Sequence, residues 1–250
     1  MGIIMKIYGP GDVRYDKYEE RELQPGEVRL KTLFSGISAG TELTHYKGTN
    51  PFRHKKWDEQ KRIFYDYKDT NYYPRGTGYE EVGEVIEVGF DVSKIKIKDI
   101  IYGSWSHKST HIMEEDTALQ QKLPDGLEPI EGIFSQIGSI ALNGILDAKV
   151  NIGETVVIFG QGVVGLICAQ LAKLSGCKVI VVDLYNQRLQ IARKIGADII
   201  LNPAECNNIP GKIKELTGIG ADVCIDASGS SSALNSCIKL CVYSGRVVAL

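Results

Sequence analysis

The chain has 250 residues, 43% hydrophobic and 24% charged, a composition typical of a globular protein long enough for two modest cores. Its 29 Lys and Arg against 31 Asp and Glu give a net charge of -2 without a dense basic tract, which argues against nucleic acid as a partner. No segment approaches the roughly 20 apolar residues that span a bilayer, and no signal peptide is recognisable. A cytoplasmic protein without membrane attachment is expected.

The first half of the chain contains short runs of β-forming residues broken by glycines. These runs predict strands at Val28–Phe34, Glu84–Val88, Asp99–Tyr102 and His111–Met113. We expect an irregular β barrel. Between two of the runs, residues 46–74 are rich in Tyr, Lys and Asp and poor in aliphatic side chains, which is typical of a long surface excursion. Its aromatic residues could line the entrance for a ring-bearing or polyhydroxylated substrate, namely Trp57, Tyr65, Tyr67, Tyr72 and Tyr73.

A domain boundary is expected at the turn cluster Leu123-Pro124-Asp125-Gly126. After this cluster, the spacing of apolar residues within Pro129–Lys149 predicts a helix. We therefore predict one domain over residues 1–125 and a second over residues 126–250.

The second half alternates strands and helices. Its strands are continuous Val and Ile runs, which indicates a parallel sheet covered on both faces. This pattern predicts a Rossmann doubly wound sheet, and a chain that stops within the fifth of about six strands is expected to be truncated at its C-terminus. The predicted strands are Thr155–Phe159, Lys178–Val182, Asp198–Leu201, Asp222–Ile225 and Arg246–Leu250.

A glycine fingerprint follows the first of these strands. Gly160 would permit a tight turn, Gly162 would let the backbone approach a pyrophosphate, and Gly165 would let the next helix, predicted at Leu166–Ser175, pack against the strand. Asp183 ends the second strand, where a carboxylate accepts hydrogen bonds from a ribose diol and repels a 2'-phosphate. The spacing predicts a dinucleotide site that prefers NAD to NADP.

The cysteines give no sign of a metal or redox site. All six lie in the second half of the chain without CxxC pairing, so we expect reduced, buried core residues.

Several segments together resemble the medium-chain dehydrogenase/reductase superfamily, the relatives of zinc alcohol dehydrogenase. They are Phe34-Ser35-Gly36-Ile37-Ser38, Gly40-Thr41-Glu42, Gly78-Tyr79-Glu80-Glu81-Val82-Gly83-Glu84-Val85, Ala148-Lys149-Val150 with Gly153, and the glycine fingerprint with Asp183 and Arg188. Within the superfamily, Ser35–Glu42 and Ala141-Leu142-Asn143-Gly144 most resemble the subgroup that includes bacteriochlorophyllide hydroxyethyl dehydrogenases. The resemblance implies a GroES-like β-barrel domain followed by the Rossmann domain. The expected cofactor-binding residues are Gly160, Gly162, Val163, Gly165, Asp183, Arg188 and Ser228.

The zinc ligands of the family are replaced in this sequence. The first Cys ligand falls on Ser38, the His ligand on Tyr79, and a later Cys ligand near Ser135 or Gln136. Neutral hydroxyl and amide groups do not match the donors that catalytic zinc prefers, so we expect no metal. A rebuilt site made of Glu80, His107 and His111 is the alternative.

Without zinc, side chains must handle the proton when hydride moves. Thr41 matches the family's hydroxyl relay, and Tyr79 is our main candidate acid, with Lys47 or His107 as a cation that could activate it. A tyrosine that merely fills the vacated space is the alternative for Tyr79. Glu42 and Glu80 match acidic positions beside the family's metal.

The function expected from these residues is NAD-dependent interconversion of a secondary alcohol and a ketone. Reduction of a conjugated C=C bond or quinone with NAD(P)H is one alternative, and NAD(H) binding without turnover is another. The resemblance further implies that a full-length chain could form a homodimer through the last Rossmann strand.

Overall fold

The computed structural model describes residues 1–67 and 71–250. Contacts divide it into two compact units, Met1–Gln136 and Ile137–Leu250. None of the helices in the described residues is both long and apolar enough to cross a membrane.

The boundary between the units lies later than the one expected between residues 125 and 126. After the turn cluster the chain forms a 3₁₀ helix, Pro129–Phe134. The Cα of Gly132 lies so close to Val82 and Leu123 that a side chain at this position would overlap Val82. This close packing makes the 3₁₀ helix part of the first unit.

The first unit is built mainly from antiparallel strands. The strands are β1 (Gly2–Gly9), β2 (Asp12–Tyr18), β3 (Glu27–Ser35), β4 (Lys55–Asp58), β5 (Ile63–Asp66), β6 (Arg75–Gly76), β7 (Glu81–Val88), β8 (Ile100–Gly103) and β9 (Thr110–Glu114). They form sheets of order β8-β7-β3-β9, β2-β1-β6 and β4-β5. The helices are α1 (Thr41–Lys47), the 3₁₀ helix Pro51–Arg53 and α2 (Glu115–Gln120).

The four strands predicted in this half are confirmed as β3, β7, β8 and β9. Their apolar side chains form the core of the unit, with Val28, Leu30, Val85 and Ile101 fully buried. Strands β1 and β2 were not predicted. Strand β2 is rich in charged and tyrosine residues and lies mostly at the surface. The segment 46–74 contains the exposed β4–β5 hairpin, and its residues 68–70 lie outside the described residues.

The second unit is a five-stranded parallel sheet with helices between its strands. The elements are α3 (Ser135–Ala148), β10 (Thr155–Phe159), α4 (Val163–Leu174), β11 (Lys178–Val182), α5 (Asn186–Lys194), β12 (Ile199–Leu201), α6 (Ile209–Thr217), β13 (Ala221–Asp226), α7 (Ser231–Leu240) and β14 (Cys241–Ala249). The first two strands have the predicted bounds. The strand order is β12-β11-β10-β13-β14, and every neighbouring pair is parallel.

Both faces of this sheet are buried, as the continuous apolar strands predicted. On β10, Val156 and Ile158 belong to one hydrophobic core, whereas Val157 and Phe159 belong to another. The Rossmann fold is therefore confirmed. The chain runs outward from β10 to β12 and then returns to the other side of β10 as β13, so the carboxyl ends of β10 and β13 form a topological switch point, where such sheets bind ligands.

The cysteines are free thiols, as expected. Four of them are buried and pack in the sheet cores, namely Cys168, Cys177, Cys224 and Cys237. Cys206 and Cys241 are only partly buried, which differs from the expectation that all six would be core residues.

Candidate functional site

The turn after β10 has the geometry that a dinucleotide-binding loop needs. Gly160 has φ +85°, a conformation that favours glycine. A Cβ on Gly165 would lie 1.8 Å from the carbonyl oxygen of Gly160, so only glycine lets α4 pack this closely. A Cβ on Gly162 would meet no atom within 4 Å. Gly162 therefore borders open space, which is where a pyrophosphate would approach the backbone.

The start of α4 offers unpaired N–H groups beside this space. Gly162 is the N-cap of α4, and none of the described side chains caps the helix there. Val163, the first residue of the helix, is exposed. The N–H groups and the positive end of the helix dipole are therefore available for phosphate oxygens.

Asp183 closes the turn from the end of β11. Its carboxylate accepts hydrogen bonds from the backbone N–H of Gln161 at 2.6 Å and of Tyr185 at 2.8 Å. The guanidinium of Arg188 lies 3.8 Å from the same carboxylate and 4.9 Å from the Tyr185 ring centroid. Asp183 and Arg188 therefore lie together beside the glycine turn, as a site for the adenosine ribose requires.

Ser228 lies on the other side of the switch point, after β13. A Cβ on Gly160 would lie 2.8 Å from the backbone nitrogen of Ser228, so the two loops touch. The hydroxyl of Ser228 donates to Asp226 at 2.6 Å, and Asp226 is 4% exposed. The structure thus brings the seven expected cofactor-binding residues to one edge of the parallel sheet. The sequence did not indicate Asp226, which accepts hydrogen bonds from Ser228, or the fully buried Gln161, whose N–H donates to Asp183.

Four of the candidate residues in the first unit come from two segments. Thr41 and Glu42 begin α1, and Tyr79 and Glu80 precede β7. Glu42 and Glu80 are buried, Tyr79 is half-buried and Thr41 is exposed. Among the described residues, no hydrogen-bond partner is found for the hydroxyl of Tyr79, and Lys47 is exposed at the end of α1.

A buried glutamate–histidine cluster joins these segments, made of Glu42, Glu80, Glu81 and His107. His107 Nε2 lies 2.7 Å from Glu42 Oε1, and Nδ1 lies 3.2 Å from Glu81 Oε1. The Ser35 hydroxyl contacts the same Nδ1 and donates to Glu81 at 2.9 Å. The sequence had suggested His107 only as a cation for Tyr79 or as a metal ligand. Glu81 was missed, although a charged residue that starts an apolar strand was a usable signal.

The groups of the cluster change one another's pKa. Burial alone would lower the pKa of His107, but hydrogen bonds and attraction from Glu42 and Glu81 raise it to about 9. For Glu42, burial favours the protonated acid, but bonds from His107 and the Ser38 N–H outweigh it and lower the pKa. Burial and then repulsion from Glu42 and Glu81 raise the pKa of Glu80. Glu80 therefore keeps a proton more readily than an ordinary carboxyl group.

The alternative metal site does not assemble. His111 stacks on Trp105 with ring centroids 4.9 Å apart, and burial, followed by repulsion from Lys108, lowers its pKa to about 4. Both nitrogens of His107 face glutamates. No cluster of three His, Cys, Asp or Glu side chains suited to a metal occurs in residues 1–67 and 71–250.

The aromatic residues of segment 46–74 do not share one environment. Trp57, Tyr65 and Tyr67 are exposed on or next to the β4–β5 hairpin. Tyr72 is 7% exposed, and its hydroxyl contacts the ring of His45, a buried residue of α1 that the sequence did not indicate. Tyr72 is therefore a packing residue of the first unit.

Comparison with known proteins extends over nearly the whole chain. Residues 163–250 match the family model described as zinc-binding dehydrogenase. D-Guloside 3-dehydrogenase of Escherichia coli K12 is 32% identical over 241 residues, which are 92% of this chain and 68% of that enzyme. The crystal structure of 2R,3R-butanediol dehydrogenase from Bacillus subtilis superposes with a TM-score of 0.81 at 25% identity, covering 100% of this chain and 77% of that one.

Two further solved structures have the same fold and contain a nicotinamide cofactor. An E. coli CFT073 alcohol dehydrogenase complexed with NADH has a TM-score of 0.79 at 22% identity, covering 99% of this chain and 75% of that one. A Sinorhizobium meliloti 1021 protein bound to NADP has a TM-score of 0.78 at 21% identity, covering 100% of this chain and 76% of that one. The fold, the glycine turn and the similarity to D-guloside 3-dehydrogenase agree, and this chain belongs to the zinc-type alcohol dehydrogenase-like oxidoreductases of the medium-chain dehydrogenase/reductase superfamily.

Proposed function

We propose that this protein interconverts a secondary alcohol and a ketone with NAD as the hydride carrier and without a catalytic zinc ion. The observation that carries the proposal is the turn at Gly160–Gly165 with Asp183 beside it. The turn leaves backbone N–H groups facing open space, and Asp183 supplies the ribose-binding carboxylate. When bound, NAD accepts the hydride of the alcohol or, as NADH, donates it to the ketone.

The preference for NAD follows from the charge at Asp183. Its carboxylate is only 5% exposed and is held by two backbone N–H groups, so it cannot easily turn away from a bound nucleotide. A 2'-phosphate would meet this fixed negative charge, whereas a ribose diol would donate hydrogen bonds to it. Arg188 favours a phosphate, but its guanidinium is 3.8 Å from Asp183 and therefore partly neutralised.

We propose a site without zinc because of the side chains that stand at the positions of the family's zinc ligands. Ser38 and Tyr79 replace the first two family ligands with neutral hydroxyls, and the Ser38 hydroxyl accepts the Thr41 N–H at 3.2 Å. The nearby carboxylates of Glu42 and Glu81 face a histidine that carries a proton. The imidazolium therefore offsets part of the negative charge that a metal ion would otherwise offset.

Proton transfer then falls to side chains of the first unit. Glu80 keeps a proton more readily than an ordinary carboxyl group, so it suits the acid that protonates a developing alkoxide during ketone reduction. Tyr79 is the second candidate because its hydroxyl has no partner among the described residues, and Thr41 is the proposed relay. Glu42 is held between His107 and Ser38 and is proposed to position the relay segment.

The substrate class is proposed from the relatives. The two named above are dehydrogenases of a guloside and of a butanediol, so secondary alcohols with neighbouring hydroxyl groups are the first candidates.

Measurements on one preparation of the protein test the proposal. We expect binding of NADH in a fluorescence titration, weaker binding of NADPH, less than stoichiometric zinc by mass spectrometry, and oxidation of secondary alcohols among a panel of diols, sugars and glycosides. Consumption of NADH with enones or quinones alone would contradict the alcohol–ketone assignment. Stoichiometric zinc would contradict the zinc-free site, and NADH binding without turnover would indicate a non-catalytic protein.

Exchanging Asp183 for asparagine tests the basis of the NAD preference. Asp183→Asn keeps an oxygen for the Gln161 N–H but removes the charge. We expect NADH affinity to fall about tenfold, ~1.4 kcal/mol, and NADPH affinity to change little or rise. Asp147→Asn, an exposed position on α3, is the matched control and should leave both affinities unchanged. An unchanged ratio of NADH to NADPH affinity in Asp183→Asn would refute the ribose role of Asp183.

A further inference from the structure

His107 lies where the two segments that carry the candidate catalytic residues meet. It belongs to the connection between β8 and β9, and its side chain is 7% exposed. Nε2 reaches Glu42 on α1 at 2.7 Å, and Nδ1 reaches Glu81 at the start of β7 at 3.2 Å. The side chains of Glu42 and Glu81 are 5% and 0% exposed. Each ring nitrogen therefore binds a different segment inside the unit.

Each glutamate in turn is tied to candidate residues. Glu42 Oε2 accepts the backbone N–H of Ser38 at 2.8 Å, which holds the loop that leads into Thr41. Glu81 directly follows Tyr79 and Glu80 in the chain. The main chain of His107 reinforces the second link, because its N–H donates to the Thr77 carbonyl at 2.8 Å. A displacement of His107 would thus disturb both segments at once.

The hydrogen bonds also require a particular protonation state. A neutral histidine has one N–H and one acceptor nitrogen, whereas the imidazolium has two donors. Carboxylates accept only, so a neutral ring would direct its bare nitrogen at one of them. The Ser35 hydroxyl, which contacts Nδ1, donates its only proton to Glu81. The imidazolium is therefore the state in which Nδ1 can donate toward Ser35 and Glu81 while Nε2 donates to Glu42. The charged groups that act on this ring are Glu42 and Glu81, and Glu80 of the same cluster also interacts with it.

The imidazolium ring also supplies positive charge to the cluster. Two buried carboxylates repel each other and are costly to desolvate unless a cation pairs with them. Glu81 in particular needs a nearby cation, because its Oε2 is buried without any hydrogen-bond partner among the described residues. A histidine held between two carboxylates is both a link and a counter-ion.

We propose that His107 is the positioning residue of the reaction, which as an imidazolium clamps Glu42 and Glu81 and thereby sets the Ser38–Thr41 and Tyr79–Glu80 segments relative to each other. The catalytic part of this proposal rests on the proposed function. The clamp itself is a statement about the folded protein and can be tested without any substrate.

The first measurement is on the unmodified protein. Long-range ¹H–¹⁵N spectra of the histidine rings, with His107 assigned by comparison with His107→Gln, should show both ring nitrogens protonated at pH 7.5. The ring of His54, which is exposed, serves as the reference signal in the same spectra. A neutral His107 ring at pH 7.5 would overturn the clamp, whatever the activity.

The second measurement compares three variants: His107→Gln, His107→Leu and the control His54→Gln. Glutamine can donate an amide N–H to one glutamate, so we expect kcat to fall about tenfold in His107→Gln and at least a hundredfold in His107→Leu. NADH affinity should stay within twofold, because the dinucleotide residues lie in the other unit. The pH profile of kcat should shift in His107→Gln and remain unchanged in His54→Gln.

The outcomes separate the two proposals. If the wild-type protein shows no turnover but its His107 ring is doubly protonated, the proposed function fails and the clamp stands. If turnover occurs and His107→Gln and His107→Leu keep the wild-type kcat and pH profile, the positioning role is wrong. Should His107→Leu fail to fold by circular dichroism, His107→Gln and the wild-type ring spectra still decide.

Discussion

Gly165→Ala is expected to destabilise the second unit by about 3 kcal/mol or more and to abolish measurable NADH binding. The added Cβ would lie 1.8 Å from the Gly160 carbonyl oxygen, and backbone cannot swing aside as a flexible side chain can. The start of α4 must therefore move away from β10. At the size of this chain such a loss corresponds to a Tm lower by roughly 6–12 °C, which calorimetry would detect.

Gly162→Ala is the matched variant in the same turn. Gly162 has φ -73°, which alanine adopts readily, and its Cβ would enter open space. We expect a stability change below about 1 kcal/mol, since alanine is a poorer N-cap than glycine. NADH affinity should nevertheless fall at least tenfold, about 1.4 kcal/mol, because the methyl group occupies the approach of the pyrophosphate. Unchanged NADH affinity in a folded Gly162→Ala protein would show that the cofactor binds elsewhere.

The stability of the first unit is expected to fall as the pH rises from 6.5 to 9.5. The pKa of His107 is raised from 6.5 when unfolded to about 9 when folded. A group with a raised folded pKa contributes fully below its unfolded pKa and loses that contribution as the pH passes its folded pKa. The loss is on the order of 3 kcal/mol. Urea unfolding followed by tryptophan fluorescence reports on this unit, because Trp57 and Trp105 both lie in it.

Glu81→Gln isolates the His107 contribution from other groups that titrate in this range. With one carboxylate lost, the folded pKa of His107 should fall toward its ordinary value. The variant should be less stable than the wild type at pH 6.5, and its stability should change little from there to pH 9.5. Glu84→Gln, half-buried on the same strand, should keep the wild-type slope. Equal slopes in the wild type and Glu81→Gln would show that the pair does not stabilise the fold.

The parts of the fold that depend on short-range pattern were predicted well. Strands β10 and β11 were predicted with their observed bounds, because a run of Val and Ile between turn residues allows few other structures. The boundary between the units was placed too early, because the packing of Gly132 on Val82 involves strands distant in the chain. Strand β2 was missed because it is rich in charged and tyrosine residues and carries a weak periodic signal.

The cofactor edge could be derived from the sequence because its geometry is local. Gly160, Gly162 and Gly165 lie in one turn, and each has a separate steric reason to be glycine that the spacing already expresses. The glutamate–histidine cluster could not be derived from the sequence. His107 and Glu42 are 65 positions apart, and no sequence motif contains both residues. Only the antiparallel sheet β8-β7-β3-β9 brings His107, in the connection between β8 and β9, between Glu42 and Glu81 and buries all three. Burial in this cluster also raises the pKa of Glu80.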